Sequence, residues 1–221
     1  MEELYTKKVK CPVCKNDFTT SKVKSSKLRI EKRDTDFFTY YRGENPLKYS
    51  VFVCPECGYA ALEYKFDKIK SKDIEVIKQN VSDKWIKREF SLKRSVDEAI
   101  VCYKLALYCG QLLNFKNYDL GNITLRLAWM NRLNENSKEE ERFLKLSAEL
   151  FEKAYYNEDI PSTPFDELSL AYLIGELYRR LGDREEALKW FSKVISNRAV
   201  KNNPRLDKLV RDQWYLVKGE R

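Results

Sequence analysis

Two cysteine pairs constrain this chain more than anything else in it. They are Cys11-Pro12-Val13-Cys14 and, after a gap of 39 residues, Cys54-Pro55-Glu56-Cys57, followed by Gly58. A CxxC pair places two sulfurs on one tight turn, and two such turns supply four thiolates at about 2.3 Å from a tetrahedral ion. Proline after the first cysteine fixes φ, and glycine after the second lets the chain leave with positive φ, so that backbone N–H groups point at sulfur. Lys15 stands where the first pair lacks that glycine. Redox CxxC motifs sit at a helix start with proline before the second cysteine, an arrangement absent here. Cys11, Cys14, Cys54 and Cys57 are therefore read as the ligands of one Zn2+. Four protein sulfurs leave no open position for water, which makes the site structural rather than catalytic.

The chain has 221 residues, 43% of them hydrophobic and 34% charged, a composition that folds. No stretch reaches the roughly 18 apolar residues needed to cross a bilayer, and MEELYTKKVKC lacks the apolar core of a signal peptide. The expectation is a cytoplasmic protein without a membrane partner, in a compartment where paired cysteines hold metal more often than disulfides. No histidine is present, which removes the commonest general base and every Ser-His or Cys-His nucleophile arrangement. The expected class is non-enzymatic, and no small-molecule substrate is identified. The whole net charge of +8 falls in residues 1–95, while the remainder is balanced. Four thiolates around one zinc lower that excess to about +6.

Around the cysteines, residues 28–32, 37–41 and 50–53 are rich in aromatic and β-branched side chains, and 43–46 breaks them as a turn. Residues 59–66 read as one more strand. So small a sheet buries little, and a zinc contribution of about 10 kcal/mol matters to its folding. From Ser71 the period becomes helical, with helices expected at 71–80, 95–113, 119–135, 137–157, 164–181, 183–197 and 204–217. Capping boxes start several of them: Ser95-x-x-Glu98, Ser137-x-x-Glu140 and Asp183-x-x-Glu186, with Thr163-Pro164 as a further start signal. Small, aromatic and small residues recur at i, i+4 and i+7 in Ala99/Tyr103/Ala106, Ser147/Phe151/Ala154 and Ala187/Phe191/Val194. That spacing puts each set on one face, where the small residues let a second helix approach. The fold expected is α+β: a zinc-ribbon-like β unit at 1–68, then a larger all-α domain of antiparallel hairpins at 69–221.

The stretch from Ala171 through Gly175, Tyr178, Gly182 and Ala187 to Phe191 resembles a tetratricopeptide (TPR) repeat, a helix pair that binds partner proteins. The pair with Leu127-Ala128 and Phe151/Ala154 resembles it weakly. The two knuckles, Asp34-Thr35-Asp36-Phe37, Tyr41, Asn45-Pro46, Tyr49, Val53 to Ala60 and Lys104 to Leu107 are together similar to a bacterial family of uncharacterised proteins, catalogued as a domain of unknown function. That resemblance covers nearly the whole chain and implies a zinc-ribbon plus TPR-like layout in a cytosolic bacterial protein. It implies no activity or substrate.

The TPR resemblance places Asn122, Leu125, Trp129 and Arg132, then Ser169, Tyr172, Glu176 and Arg179, along a concave groove. Trp129, Tyr172, Arg132 and Arg179 are the expected anchors for a protein or peptide partner, with packing against the next helix as the competing role for the two rings. Nucleic acid is the alternative partner, because Arg33 and Arg42 lie among Phe37, Phe38, Tyr40, Tyr41, Tyr49 and Tyr59, and stacking rings beside cations suit single strands. Asp34 and Asp36, beside Arg33, Arg42 and Lys48, read as turn caps or ion pairs before any catalytic role. Cys102 and Cys109, seven apart on one helix, read as buried core thiols.

Overall fold

The computed structural model describes residues 3–90, 92–160 and 166–219. It is an α+β fold in which small β-hairpins carrying the four cysteines precede packed antiparallel helices. The contacts divide it into two compact units. One takes in residues 1–33, 39–115 and 123–140, and the other takes in 34–38, 116–122 and 141–221. The first thus contains helical residues well past position 68.

Strands β1 (Leu4–Lys10) and β2 (Asp17–Val23) form an antiparallel pair running from Leu4↔Val23 to Lys10↔Asp17. Sequence reading missed this pair, because β1 is mostly solvent-facing and lysine-rich. β3 (Ile30–Arg33) pairs with β4 (Thr39–Tyr41), and β5 (Val51–Val53) with β6 (Ala60–Leu62). Each pair is a separate two-stranded sheet, too small to be stable alone.

The strand expected over 59–66 stops at Leu62 and becomes the one-turn helix α1 (Glu63–Phe66). That turn drives Phe66 inward, where its ring meets Tyr59 at 5.0 Å, Phe52 at 5.7 Å and Phe18 at 5.9 Å. Outside, Glu63 accepts from Lys7 at 2.7 Å and from Lys22. α2 (Ile74–Asn80) and α3 (Val96–Leu112) follow. α3 begins at the expected capping box: Glu98 N–H donates to Ser95 Oγ and Ser95 N–H to the Glu98 carboxylate. Ala99, Cys102, Tyr103, Ala106 and Cys109 are fully buried, and α3 packs on β5 and β6 through small residues as the i, i+4, i+7 pattern requires. Burial pushes the Cys102 and Cys109 thiols up to about 11.

The remaining helices are α4 (Asn117–Leu133), α5 (Ser137–Asn157), α6 (Glu167–Arg180), α7 (Arg184–Ser196) and α8 (Pro204–Lys218). The start signal at Thr163-Pro164 lies outside the described residues. Asp166 caps α6, accepting from Ser169 N–H, and Asp183 caps α7 as expected, accepting from Glu186 N–H. The cap of α5 is Asn136, which accepts from Glu139 N–H, and not Ser137, which is already helical. In the second unit two glycines admit two phenylalanines. A Cβ on Gly121 would lie 2.8 Å from the Phe151 ring, and one on Gly175 would lie 2.8 Å from the Phe191 ring. The close approach in the earlier hairpin is therefore at Gly121, not at Ala128. Among the described residues, no helix is long and apolar enough to cross a membrane.

Candidate metal centre

The two cysteine turns have one backbone. In the first, Cys11 N–H donates to Asn16 O at 2.9 Å and Lys15 N–H to Cys11 O at 3.0 Å. In the second, Cys54 N–H donates to Tyr59 O at 2.9 Å and Gly58 N–H to Cys54 O at 3.0 Å. Lys15 and Gly58 occupy the same left-handed region, with φ of 65° and 72°. Each turn sits at the tip of a hairpin, β1–β2 or β5–β6, so that the strand registers aim both tips. The N–H groups of Cys14 and Val13 point at the Cys11 sulfur, and those of Cys57 and Glu56 point at the Cys54 sulfur.

These turns bring all four sulfurs within 4.8 Å of one another. Cys11 and Cys57 lie 3.6 Å apart, and Cys14 and Cys54 lie 3.5 Å apart. A tetrahedron with metal–sulfur bonds of about 2.3 Å has edges of about 3.8 Å, so the cluster is the right size for one ion. Sulfurs this close share protons. Hydrogen bonds within the set, first of all from Cys11, pull the Cys54 thiol well below the ordinary range and push Cys11 and Cys57 above it. Cys11, Cys54 and Cys57 are buried, whereas Cys14 is exposed.

Two residues that sequence reading did not single out support the cluster. Trp85 lies against the second turn, its Nε1–H donating to Pro55 O at 2.8 Å. Its ring is so near Gly58 that a Cβ there would come within 2.5 Å. Arg94, only 2% exposed, donates to Phe90 O, Lys48 O and Val51 O at 2.9, 3.1 and 2.8 Å, and to Thr20 Oγ1 at 3.2 Å. It thereby braces β2 against β5, the strands that carry one turn each. An arginine in a polar run gives no sequence signal of such burial.

The expected groove is not open. Tyr172 is fully buried, its ring 5.5 Å from Phe37 and 5.8 Å from Phe191, and its hydroxyl donates to Thr35 O at 2.8 Å. Trp129 is 7% exposed, and Asn122, Leu125 and Glu176 are buried as well. Arg132 donates to Glu140 at 2.7 Å, and Arg179 donates to Glu176 at 2.7 and 2.8 Å. The correction has a physical reason: a helix packed on both sides, as α6 is from Leu170 to Leu177, presents no apolar face to solvent.

Asp34 and Asp36 belong to the turn from β3 to β4, closed by Asp34 N–H on Phe38 O at 2.8 Å. Both face Arg180, at 3.9 and 3.5 Å, and Asp36 accepts from Phe38 N–H. Arg33 and Arg42 are exposed and form no ion pair among the described residues. Phe38, Tyr49 and Tyr59 are core residues, and Phe37 packs on Tyr172, whereas Tyr40 and Tyr41 are half-buried on β4.

Fold and site together define a protein with paired cysteine knuckles suited to one metal ion, joined to antiparallel helical hairpins. The chain belongs to the family described as "Uncharacterized protein conserved in bacteria (DUF2225)", whose model matches residues 4–217. It is similar to an uncharacterized protein of Borreliella burgdorferi, with 28% identity over 170 residues. That match covers 67% of this chain and 60% of the relative, so the chain spans less than two thirds of the relative's length. No solved structure matches the chain.

Proposed function

We propose that the four cysteines hold one zinc ion as a structural staple, and that the chain is a non-enzymatic, cytoplasmic binding module built around it. The observation that carries this reading is the pair of turns with matching backbone hydrogen bonds that places four sulfurs within 4.8 Å. Four thiolates suit zinc, and four protein ligands leave no position for a reacting water. The other two thiols, Cys102 and Cys109, are buried and held protonated, which fits no nucleophilic role. Metal analysis of the purified chain should give about one zinc per chain. A metal-free chain with an intact first unit would overturn the reading.

A protein or peptide partner remains the favoured ligand of the helical hairpins. Because Trp129 and Tyr172 are core residues, and Arg132 and Arg179 are engaged by Glu140 and Glu176, the partner would meet outward-facing positions. Tyr156, Tyr215 and Leu216 are large exposed side chains of the second unit. Copurification with the chain, followed by a Tyr215→Ala and Leu216→Ala double change, tests it: the partner should be lost while the helical signal stays.

Nucleic acid is the second reading, favoured by the β3–β4 ribbon. Arg29, Lys32, Arg33 and Arg42 are exposed there, and Lys32 Nζ lies 4.1 Å over the Tyr40 ring. Single-stranded DNA or RNA should then bind with an affinity that falls steeply with salt, and Arg33→Glu or Arg42→Glu should weaken it. No binding at low salt would remove this reading.

A further inference from the structure

The second unit holds an ammonium group against three mutually touching aromatic rings. Tyr155 and Tyr156 come from α5 and Trp190 from α7. Tyr155 meets Trp190 at 5.0 Å and 88°, and Tyr156 at 5.4 Å and 85°. Tyr156 and Trp190 close the third side at 5.8 Å and 50°. Lys193 Nζ lies 4.2, 4.7 and 5.0 Å from the centroids of Tyr155, Tyr156 and Trp190. Lys193 has no carboxylate partner among the described residues, so ring faces are what hold its charge.

We propose that Tyr155, Tyr156 and Trp190 form a binding site for a quaternary ammonium group, with Lys193 as its built-in occupant. Three ring faces converging on one point are an electrostatic sink for a cation, strongest where water is excluded. Trp190 is 1% exposed, which supplies a dry wall, while Tyr156 is 57% exposed, which leaves an entrance. A lysine ammonium is compact and strongly hydrated, so it gives up little on returning to water. A trimethylated nitrogen is larger and more weakly hydrated, and its methyl groups contact all three faces at once. Two charged groups beside the rings agree with a cationic ligand. Glu167 accepts the Tyr155 hydroxyl at 2.8 Å, adding negative potential at the rim. Lys189, a cation near Tyr156, is held by Glu186 at 2.9 and 3.0 Å. The Glu167 carboxylate selects against ligands with an acid close to the nitrogen, which favours choline over glycine betaine or a phosphate-bearing headgroup. This site is separate from the cysteine cluster and independent of its metal.

The test uses the full chain and follows the methyl protons of choline by NMR, with sodium chloride at equal ionic strength as the control. Bound methyl groups should shift upfield through the ring currents of the cage. Lys193→Ala should tighten choline binding about tenfold by removing the tethered competitor. Tyr156→Ala in that background should abolish the shift, and glycine betaine should bind more weakly than choline. Lys193 and Tyr156 are both exposed, so circular dichroism should be unchanged in each variant. Phosphatidylcholine vesicles should not capture the chain. The proposal is overturned if Lys193→Ala gives no upfield shift, if Tyr156→Ala leaves the shift intact, or if vesicles bind where free choline does not.

Discussion

The two cysteine turns share hydrogen bonds, φ values and ligand spacing, yet they differ in what lies against them. At the first, Lys15 takes the left-handed position with its side chain in solvent, its Nζ donating to Pro12 O at 2.8 Å. At the second, the equivalent Gly58 has the Trp85 ring where a Cβ would go. The same backbone therefore accepts lysine in one turn and demands glycine in the other. The φ requirement is common to both and costs a non-glycine residue about 1–2 kcal/mol. Only tertiary contact adds a steric bar. The cysteines follow that division only in part: Cys11 of the first turn is as buried as Cys54 and Cys57, and Cys14 is exposed.

Cys54→Ser should have the largest effect, because it removes a buried ligand at the better-packed turn. Metal content should fall to zero and the near-ultraviolet signal of the first unit should collapse, a loss on the order of 10 kcal/mol. Cys14→Ser, at the one exposed cysteine of the four, should lose metal affinity but retain more folded structure. If the two variants were equally disrupted, the asymmetry of the turns would carry no energetic weight.

Arg94→Met probes the brace shared by both hairpins. It leaves the carbonyls of Phe90, Lys48 and Val51 without their buried donor, and denaturant unfolding should show a loss of about 3 kcal/mol. Gly58→Ala sets left-handed strain and overlap with Trp85 against the fold, and should also cost roughly 3 kcal/mol. A loss below about 1 kcal/mol would show that Trp85 moves aside freely.

The buried thiols behind the β5–β6 sheet give a pH test. Cys102 and Cys109 ionise near 9.0 when unfolded and about 11 when folded. Between those values the unfolded chain carries fewer protons, so stability should fall as pH rises from 9 to 11, by roughly 1 kcal/mol per thiol at pH 10. In native protein both should resist a thiol reagent until denaturant is added. Rapid native labelling would show that this face of α3 is open.

The smallest change is expected at the tolerant turn. Lys15→Gly relieves the left-handed conformation but frees the unfolded chain, and should raise stability by no more than about 1 kcal/mol. A gain as large as the Gly58→Ala loss would mean that φ strain, not Trp85, separates the turns.

Local chemistry by itself determines much of this molecule. Cysteine spacing singles out the four residues whose sulfurs cluster within 4.8 Å, because a tight turn is set by its own few residues. Capping residues and the 3.6-residue period placed the helices, since both act within one or two turns of chain. The i, i+4, i+7 sets pointed inward because spacing alone assigns them to one face. Tertiary structure decided whatever depends on a distant neighbour. Phe66 turns into a core already occupied by Phe18, Phe52 and Tyr59, which ends the strand read over 59–66. Tyr172 and Trp129 have the residue types of binding anchors, but packing on both sides of their helices made them core residues. Arg94 is buried because four acceptors from three stretches of the chain converge on its guanidinium, a coincidence that no window of sequence contains. Periodicity reports which face of a helix is apolar, and only the assembled fold reports how many faces are covered.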